Sequence, residues 1–324
     1  MGEAFAGKTV GKKAILWGIL AQSIPDIDFL ASLWLNTEDN LLAHRGFTHS
    51  ILFCVLITPA IAWVAYHIHK PHNISFTKWI LFIGSVIFIH LFLDAFNNYG
   101  VGWFEPFSQL RISFNTIYVA DPFFSLVPGI AFLMLFIFRK KNILRKRVWQ
   151  IGLVVPFLYL IYSLANKMYV TAETKTILAA QHISYNKLLI TPAPLQTWLW
   201  FVAVGNDSGF YTGYRSVFSK RNNIDLHFKP QNNGIKPLVK DKEQLNKLLR
   251  FSQGFYTLEQ RKDSIIFFDL RFGQIIGWQN LTEDYAFYYY LQPNVDNTLV
   301  VQRGRFAKWD KQSFSSLIKR IKGN

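Results

Sequence analysis

Five apolar runs divide the first half of the chain: 14–24 continuing into 29–35, then 51–66, 79–96, 122–138 and 148–165. Leu, Ile, Phe, Val and Trp dominate each run, almost no charge interrupts them, and several approach the ~20 residues an α-helix needs to cross a bilayer. About five membrane spans are therefore expected. The first covers 9–24 and stops at Pro25, and the next two cover 48–66 and 78–96. A fourth starts at Asp121-Pro122, where a capping carboxylate and a proline suit a first helical turn, and a fifth follows the basic stretch 139–147. Beyond Asn166 the pattern changes. Residues 166–184 predict a polar helix, and the short runs 198–204, 264–270 and 285–291 read as strands. Asn206-Asp207, Asn232-Asn233-Gly234 and Gln292-Pro293-Asn294 read as turns between them. Helices over 239–251 and 310–322 complete the reading. The expected architecture is a membrane α-helical bundle over residues 1–165, then a soluble α+β domain over 166–324 with a mostly antiparallel sheet.

Composition supports this division. Of 324 residues 51% are apolar, too many for a chain wholly in water. Lys8, Lys12 and Lys13 precede an apolar run as in a signal peptide, but no small-residue cleavage site follows. The single cysteine, Cys54, lies inside an expected span, which excludes a disulfide framework or a cysteine metal cluster. The net charge of +15 divides into +5 over residues 1–165 and +10 over 166–324. A basic domain beside a membrane suits anionic lipid headgroups, and with no nucleic-acid motif present no nucleic-acid partner is expected. Arg and Lys crowd residues 139–147, which the positive-inside rule places in the cytoplasm. Counting spans from there puts 25–49, 97–121 and the C-terminal domain on the outer side.

That count brings the unusual polar residues to one face. His44-Arg45-Gly46-Phe47-Thr48-His49-Ser50 sets two imidazoles five positions apart where a loop meets a helix start. Gly46 permits a sharp bend, and Thr48 or Ser50 supplies a cap. His90 and Asp94 share a helix face at i and i+4, ~6 Å apart, which one cation spans and which a hydrogen bond between helices also explains. Ionisable groups inside a span cost roughly 2.5–3.5 kcal/mol each, so a helix carrying two needs a partner for them. Asp26, Asp28, His44, His49, His90, Asp94 and Asp121 form the expected ligand set, although capping alone accounts for Asp121. His67, His69 and His72 fall at the opposite end and read as interfacial polar residues. Three histidines with carboxylates favour zinc, with manganese or iron as alternatives. Seven candidates exceed one tetrahedral ion, which leaves two ions ~3.5–4 Å apart, or carboxylates that orient the histidines.

These motifs, Pro25-Asp26-Ile27-Asp28, the His44 to Ser50 stretch, His90-Leu91-Phe92-Leu93-Asp94 with Tyr99-Gly100, and Asp121-Pro122, resemble a bacterial inner-membrane family. It is described as membrane-bound metal-dependent hydrolases of the YdjM/YbcI type. Thr191-Pro192-Ala193-Pro194 with Trp200, and residues 209–216, resemble its extended two-part members. The resemblance implies an inner-membrane location and, in some members, control by the DNA-damage regulon. It places the family's polar motifs on the same seven residues. The expected function is hydrolysis of a lipid or lipid-linked (phospho)ester by metal-activated water at the outer face of the inner membrane. Asp28, Asp121 and Arg45 are the expected catalytic groups, and Arg45 and Arg111 the expected holders of an anionic substrate, or else interfacial anchors. The alternative is a non-catalytic membrane scaffold or partner-binding protein with a structural metal or His/Asp network. A transporter fits less well, since no inverted repeat is evident.

Overall fold

The computed structural model describes residues 1–70, 74–140, 142–292, 297 and 309–323. His72 and the turn at Pro293-Asn294 lie outside them. The chain forms two compact units, one of Met1–Trp34, Ala43–Phe114 and Val119–Tyr162, the other of Leu35–Leu42, Asn115–Tyr118 and Ser163–Asn324.

The first unit begins with α1 (Gly2–Val10) and α2 (Lys12–Ser23). One helix over 9–24 was expected; the chain instead breaks at Gly11, whose φ of 63° is open to glycine at little cost. Pro25 ends α2, and a 3-10 segment, Pro25–Leu33, leaves it at a bend of 55°. Thr37–Ala43 then forms α3, which up to Leu42 belongs to the second unit. The apolar runs then give α4 (Ile51–Ile68), capped by Ser50, and α5 (Phe76–Asp94). These two helices pack closely, since a Cβ on Gly84 would stand 3.2 Å from the Thr58 side chain. Trp79, Phe82, Ile83 and Ile87 of α5 fill the core against small residues, Ala14 and Ala21 of α2 and Ala62 and Ala65 of α4.

α6 (Pro122–Ile137) and α7 (Leu144–Ala180) follow. Arg145 secures their junction, donating to the Leu135 and Phe138 carbonyls and gripping both carboxylate oxygens of Glu3 in α1. The sequence pattern split α7 into two helices because polarity changes near residue 166. Its backbone continues, since no glycine or proline interrupts the stretch after Pro156 and Ala, Leu, Lys and Glu sustain helix there.

Three of the helices, α4, α5 and α7, are long and apolar enough to cross a membrane, and α2 with its bent 3-10 continuation makes up to four. α6, expected as a span, is an apolar helix of 16 residues, shorter than that length. Length and composition thus support three to four spans where about five were expected. Val55, Leu56 and Trp63 of α4, Leu81 and Phe88 of α5, and Phe157 and Leu158 of α7 all stand exposed, as lipid-facing side chains do.

The second unit holds two antiparallel sheets where one was expected. The first runs in the order β1 (Lys187–Pro192), β2 (Leu199–Gly205), β3 (Gly209–Ser216), β4 (Leu226–Pro230). The second runs β5 (Tyr256–Arg261), β6 (Ser264–Gln274), β7 (Tyr285–Tyr290). The continuous apolar run of β2 reflects burial on both faces. Phe201 and Ala203 meet Phe268 and Leu270 of β6, while Trp200, Val202 and Val204 meet Val170 and Leu178 of α7. α8 (Lys242–Phe251) binds α3 through Gln244 on Glu38 and Lys247 on Asp39. α9 (Lys311–Ile321) closes the chain with a capping box on Asp310.

Inside this unit Asp269 and Arg271 form a buried pair, Nη2 to Oδ2 at 2.6 Å, with the guanidinium 4.5 Å from the Phe251 ring centre. Breaking a buried pair strands a charge. Asp269→Ala is expected to destabilise this unit by ~3–5 kcal/mol. Glu259→Ala, at a pair with Lys229 that is partly open to solvent, is expected to cost at most ~1 kcal/mol. Denaturant titration followed by tryptophan fluorescence compares them, and equal losses would contradict the assignment.

Candidate metal centre

His49 is fully buried, in the 3-10 turn Phe47–His49 that precedes α4. One edge of its ring meets Asp28: Nδ1 lies 3.2 Å from Asp28 Oδ2. That carboxylate is itself held, accepting from the Arg45 backbone N–H at 2.7 Å and the Thr48 hydroxyl at 3.3 Å, with its other oxygen 3.2 Å from His44 Nδ1. Asp28 therefore takes the Nδ1 proton and leaves the Nε2 lone pair free, the arrangement that carboxylates give to metal-binding histidines.

Nε2 of His49 points into a group of four donors. It lies 3.2 Å from His90 Nε2 and 3.4 Å from both Asp26 Oδ1 and Asp94 Oδ2. His90 Nε2 is 3.6 Å from each of the same two carboxylate oxygens. Donors ~2.0–2.1 Å from a tetrahedral ion stand about 3.3 Å from one another, so these separations are those of a tetrahedron's edges. Asp26, His49, His90 and Asp94 are thus able to hold one metal ion. Among the described residues buried Asp94 Oδ2 has no hydrogen-bond donor in good geometry, and a cation would satisfy this acceptor. Burial alone would lower the pKa of His49, but Asp26, Asp28 and Asp94 outweigh it and hold it up at about 10. A proton on this imidazole and a cation among the donors neutralise the same charge.

Local structure explains the convergence. Pro25 turns the chain so that Asp26 leaves the end of α2, and the helical i, i+4 spacing aims His90 and Asp94 together from α5. The motif loop is pinned from outside: Gly102 N–H donates to the Arg45 carbonyl, Ile51 N–H to the Trp103 carbonyl, and Arg111 to the carbonyls of His44 and Gly100. Arg45 adopts a φ of 58°, rare for a side-chain-bearing residue, and both of its backbone hydrogen bonds hold it there.

The seven expected ligands therefore separate. Four converge as donors, while Asp28 stands one bond behind His49. His44 touches Asp28 with a partly exposed ring and is not among the four. Asp121, expected as ligand and catalytic group, is engaged elsewhere. Its Oδ1 accepts the Phe123 and Phe124 N–H groups at the start of α6, and its Oδ2 accepts the Tyr159 hydroxyl at 2.8 Å. Arg111, expected to hold substrate, is buried and ties backbone to backbone. Arg45 sits with Nε 3.1 Å from Asp94 Oδ2 and its guanidinium over the Tyr99 ring at 5.2 Å. His69 lies outside the group too, yet it is interior rather than interfacial, accepting from the Trp17 indole and stacking on Trp79.

Gln22 was missed. Its side-chain amide nitrogen lies 3.1 Å from His90 Nδ1; the amide's two ends are interchangeable by a flip, and with the oxygen at that place it accepts a hydrogen bond from Nδ1–H and leaves Nε2 to the donor group. The one available signal was a lone amide near the end of an apolar run, one turn before Asp26.

Comparison with known proteins gives a consistent setting. The pattern of the family described as YdjM inner membrane protein matches residues 1–170. The protein YfhP of Bacillus subtilis (strain 168) is 35% identical over 141 residues, 38% of this chain and 41% of YfhP. The inner membrane protein YbcI of Escherichia coli (strain K12) is 26% identical over 113 residues, 34% of this chain and 64% of YbcI. The aligned part thus covers less than two thirds of either relative. No solved structure is a significant match.

The geometry orders the expected losses of bound metal. Ala at His49, His90 or Asp94 removes a donor and abolishes stoichiometric binding. Gln22→Ala and Asp28→Asn leave the donors but loosen them, which weakens affinity ~10–100-fold. Asp121→Asn and His69→Ala leave binding unchanged. Metal analysis of the detergent-purified variants checks the order, and a loss at Asp121 equal to that at His49 would contradict it.

Proposed function

This chain belongs to the YdjM inner membrane protein family, and on that premise we propose that it is a membrane-bound metal-dependent hydrolase acting on a lipid or lipid-linked (phospho)ester. The observation that carries the reading is the set of four donor atoms, in which each imidazole nitrogen lies 3.2–3.6 Å from the other three; three belong to largely buried side chains while the Asp26 side chain is 51% exposed. A metal that only joined helices would not need an open side. Two imidazoles and two carboxylates suit zinc, with manganese or iron as alternatives, and the spacing supports one ion rather than two.

A divalent ion held there would supply Lewis acidity, and, since four protein donors fill a tetrahedral ion, a water whose pKa falls toward ~7 would take a fifth position beside Asp26 or the place of Asp26 itself. The chain's residues do the rest. Asp28 and Gln22 fix the two imidazoles in the tautomer that donates through Nε2, and Asp26 marks the side from which substrate enters. Arg45 is held between Asp94 and Tyr99, and its buried Nη1 has no hydrogen-bond partner among the described residues. That donor suits an anionic phosphoryl or carboxyl oxygen. Hydrolysis delivers the hydroxyl of water to phosphorus or carbonyl carbon and its proton to the departing oxygen. With residues 139–147 cytoplasmic and α7 crossing the membrane, the reading also places the C-terminal domain outside the cytoplasm, with its basic surface meeting anionic headgroups.

A second reading has its own observation. Arg45 already pairs with Asp94, so the cluster also works as a polar staple between the motif loop and α5, with or without a metal. The two readings part at Asp26. Asp28, whose carboxylate carries the motif loop, is not the residue to separate chemistry from folding; half-exposed Asp26 is.

Asp26→Asn is expected to melt within a few degrees of wild type while losing at least ~100-fold in metal-dependent release of product from an inner-membrane lipid extract. If wild type releases no product in a metal-dependent way from lipid, phosphoester or amide substrates, and chelation merely lowers its melting temperature, the staple reading stands instead. Topology has a separate check: a reporter that matures only in an oxidising compartment is expected to be active after residue 323 and inactive at residue 143.

A further inference from the structure

The first unit contains a groove that the hydrolytic centre does not use. About 390 Å3 in volume, it runs along α2 past Ile15, Gly18 and Ile19 and is walled on the other side by Phe132 and Leu135 of α6 and Leu153 of α7. That volume lies in the ~300–1,000 Å3 range of small-molecule sites. Two glycines shape it. At Gly152 an added Cβ would stand 2.6 Å from the Ala131 Cβ, so its absence lets α7 approach α6. At Gly18 an added Cβ would already touch the Gly2 backbone at 3.6 Å and the Phe82 ring at 3.9 Å, so this glycine lets α1 lie against α2 beside the groove.

The groove is mostly apolar; its polar lining is Gln22 and Ser23 at the end of α2 and, on the α1 side, Met1 and Glu3, whose carboxylate is held by Arg145. Gln22 is also the residue whose amide meets His90 Nδ1, so one side chain belongs both to the groove and to the support of a metal donor. The ligand this fits is an amphiphile, with a hydrocarbon part along Ile15 and Ile19 and a polar part beyond Gln22 toward Asp26.

The neighbourhood selects its source. Leu16, Ile19 and Leu20 of α2 and Phe132 of α6 stand exposed beside the groove, on a chain read as membrane-embedded. The medium at its mouth is then hydrocarbon, and a bilayer chain enters sideways without leaving an apolar phase. A comparable groove between α4 and α5, about 440 Å3 and lined by Val55, Pro59, Leu81 and Gly84, shares no residue with the donor group or its supports. It provides the internal comparison.

We propose that the α2–α6–α7 groove binds one acyl chain of a membrane lipid and presents that lipid's headgroup at the Asp26, His49, His90 and Asp94 centre. The headgroup placement rests on the hydrolase reading; the acyl-chain site does not. The test uses the full chain in nanodiscs of phosphatidylethanolamine and phosphatidylglycerol, with a phosphatidylglycerol whose acyl chain carries a photoactivated diazirine. Crosslinks are mapped by peptide mass spectrometry. Labelling is expected at Ile15, Ile19, Phe132 and Leu153, severalfold above labelling at Val55 and Leu81. Ile19→Trp and Leu153→Trp, which enlarge side chains that line the groove, are expected to lower it severalfold while metal content and melting temperature stay at wild-type values. Equal labelling of the two grooves in wild type, which needs no variant to fold, would show bulk lipid contact only and overturn the proposal. So would undiminished labelling in filled variants that melt normally. Crosslinking requires neither metal nor turnover, so a labelled groove without hydrolysis removes only the enzyme reading, and metal-dependent hydrolysis with an unlabelled groove removes only this one.

Discussion

The contact between Asp28 and His49 is the constraint on which the rest of the centre depends. A fully buried imidazole needs both ring nitrogens satisfied, and here the two edges are given different tasks. Asp28 occupies Nδ1 and thereby decides what Nε2 can do. The same carboxylate accepts the Arg45 N–H, so it also sets the backbone of the loop in which His49 sits. One side chain thus fixes loop shape, ring orientation and tautomer together. This is why losing Asp28 and losing a donor such as Asp26 are different experiments, even though the two residues are separated by only Ile27.

Around that contact, charge is balanced locally rather than by solvent. Asp26, Asp28 and Asp94 face His49, with Arg45 beside Asp94. In a low-dielectric setting such a collection is stable only if each carboxylate meets a proton, a guanidinium or a metal ion. The loop from Asn97 to Phe114 supplies no ligand, yet it holds the arrangement by backbone contacts, through Val101 paired with Ile112 and through Arg111 on the His44 carbonyl. Arg111 has the sequence position of a substrate-binding residue and the surroundings of a structural tie. Its charge is directed at carbonyl oxygens, where it secures the motif loop.

What was legible in the sequence was whatever repeats with a helical or strand period. α4 and α5 lie within two or three residues of the runs that announced them, and the i, i+4 relation of His90 to Asp94 follows from helix geometry. β2, β6 and β7 announced themselves by composition, as did α8 and α9. The misses share a cause: they depend on one residue's backbone angles or on a distant partner. The break at Gly11 needed its φ, and the unbroken course of α7 required knowing that a change of polarity is not a change of backbone. Asp121 looked like a ligand because it sits on the expected face, but its oxygens are taken by helix N–H groups and by Tyr159, 38 positions away. Gln22 looked like an accident of an apolar run because its partner is 68 positions away. Pattern finds the ligand-bearing helices; only the fold distinguishes donors from the groups that aim them.

Exposure is what distinguishes chemistry from a staple among four donors at metal-ligand spacing. A structural site gains most by burying all its donors, since each exposed ligand admits water that competes for the ion and each mobile side chain must be ordered. Here three donors are sheltered and immobilised by other groups: His49 by Asp28, His90 by Gln22 and Asp94 by Arg45. Asp26 alone is half open and, among the described residues, is held only by the two histidines it faces. The openness is confined to one side, so that an exchangeable position borders a rigid wall of three donors. Rigid ligands with one accessible edge are what activation of a bound water requires, whereas a staple would be stronger with Asp26 buried like the rest. The asymmetry among the four donors, more than their number, is therefore what favours a reaction at this centre.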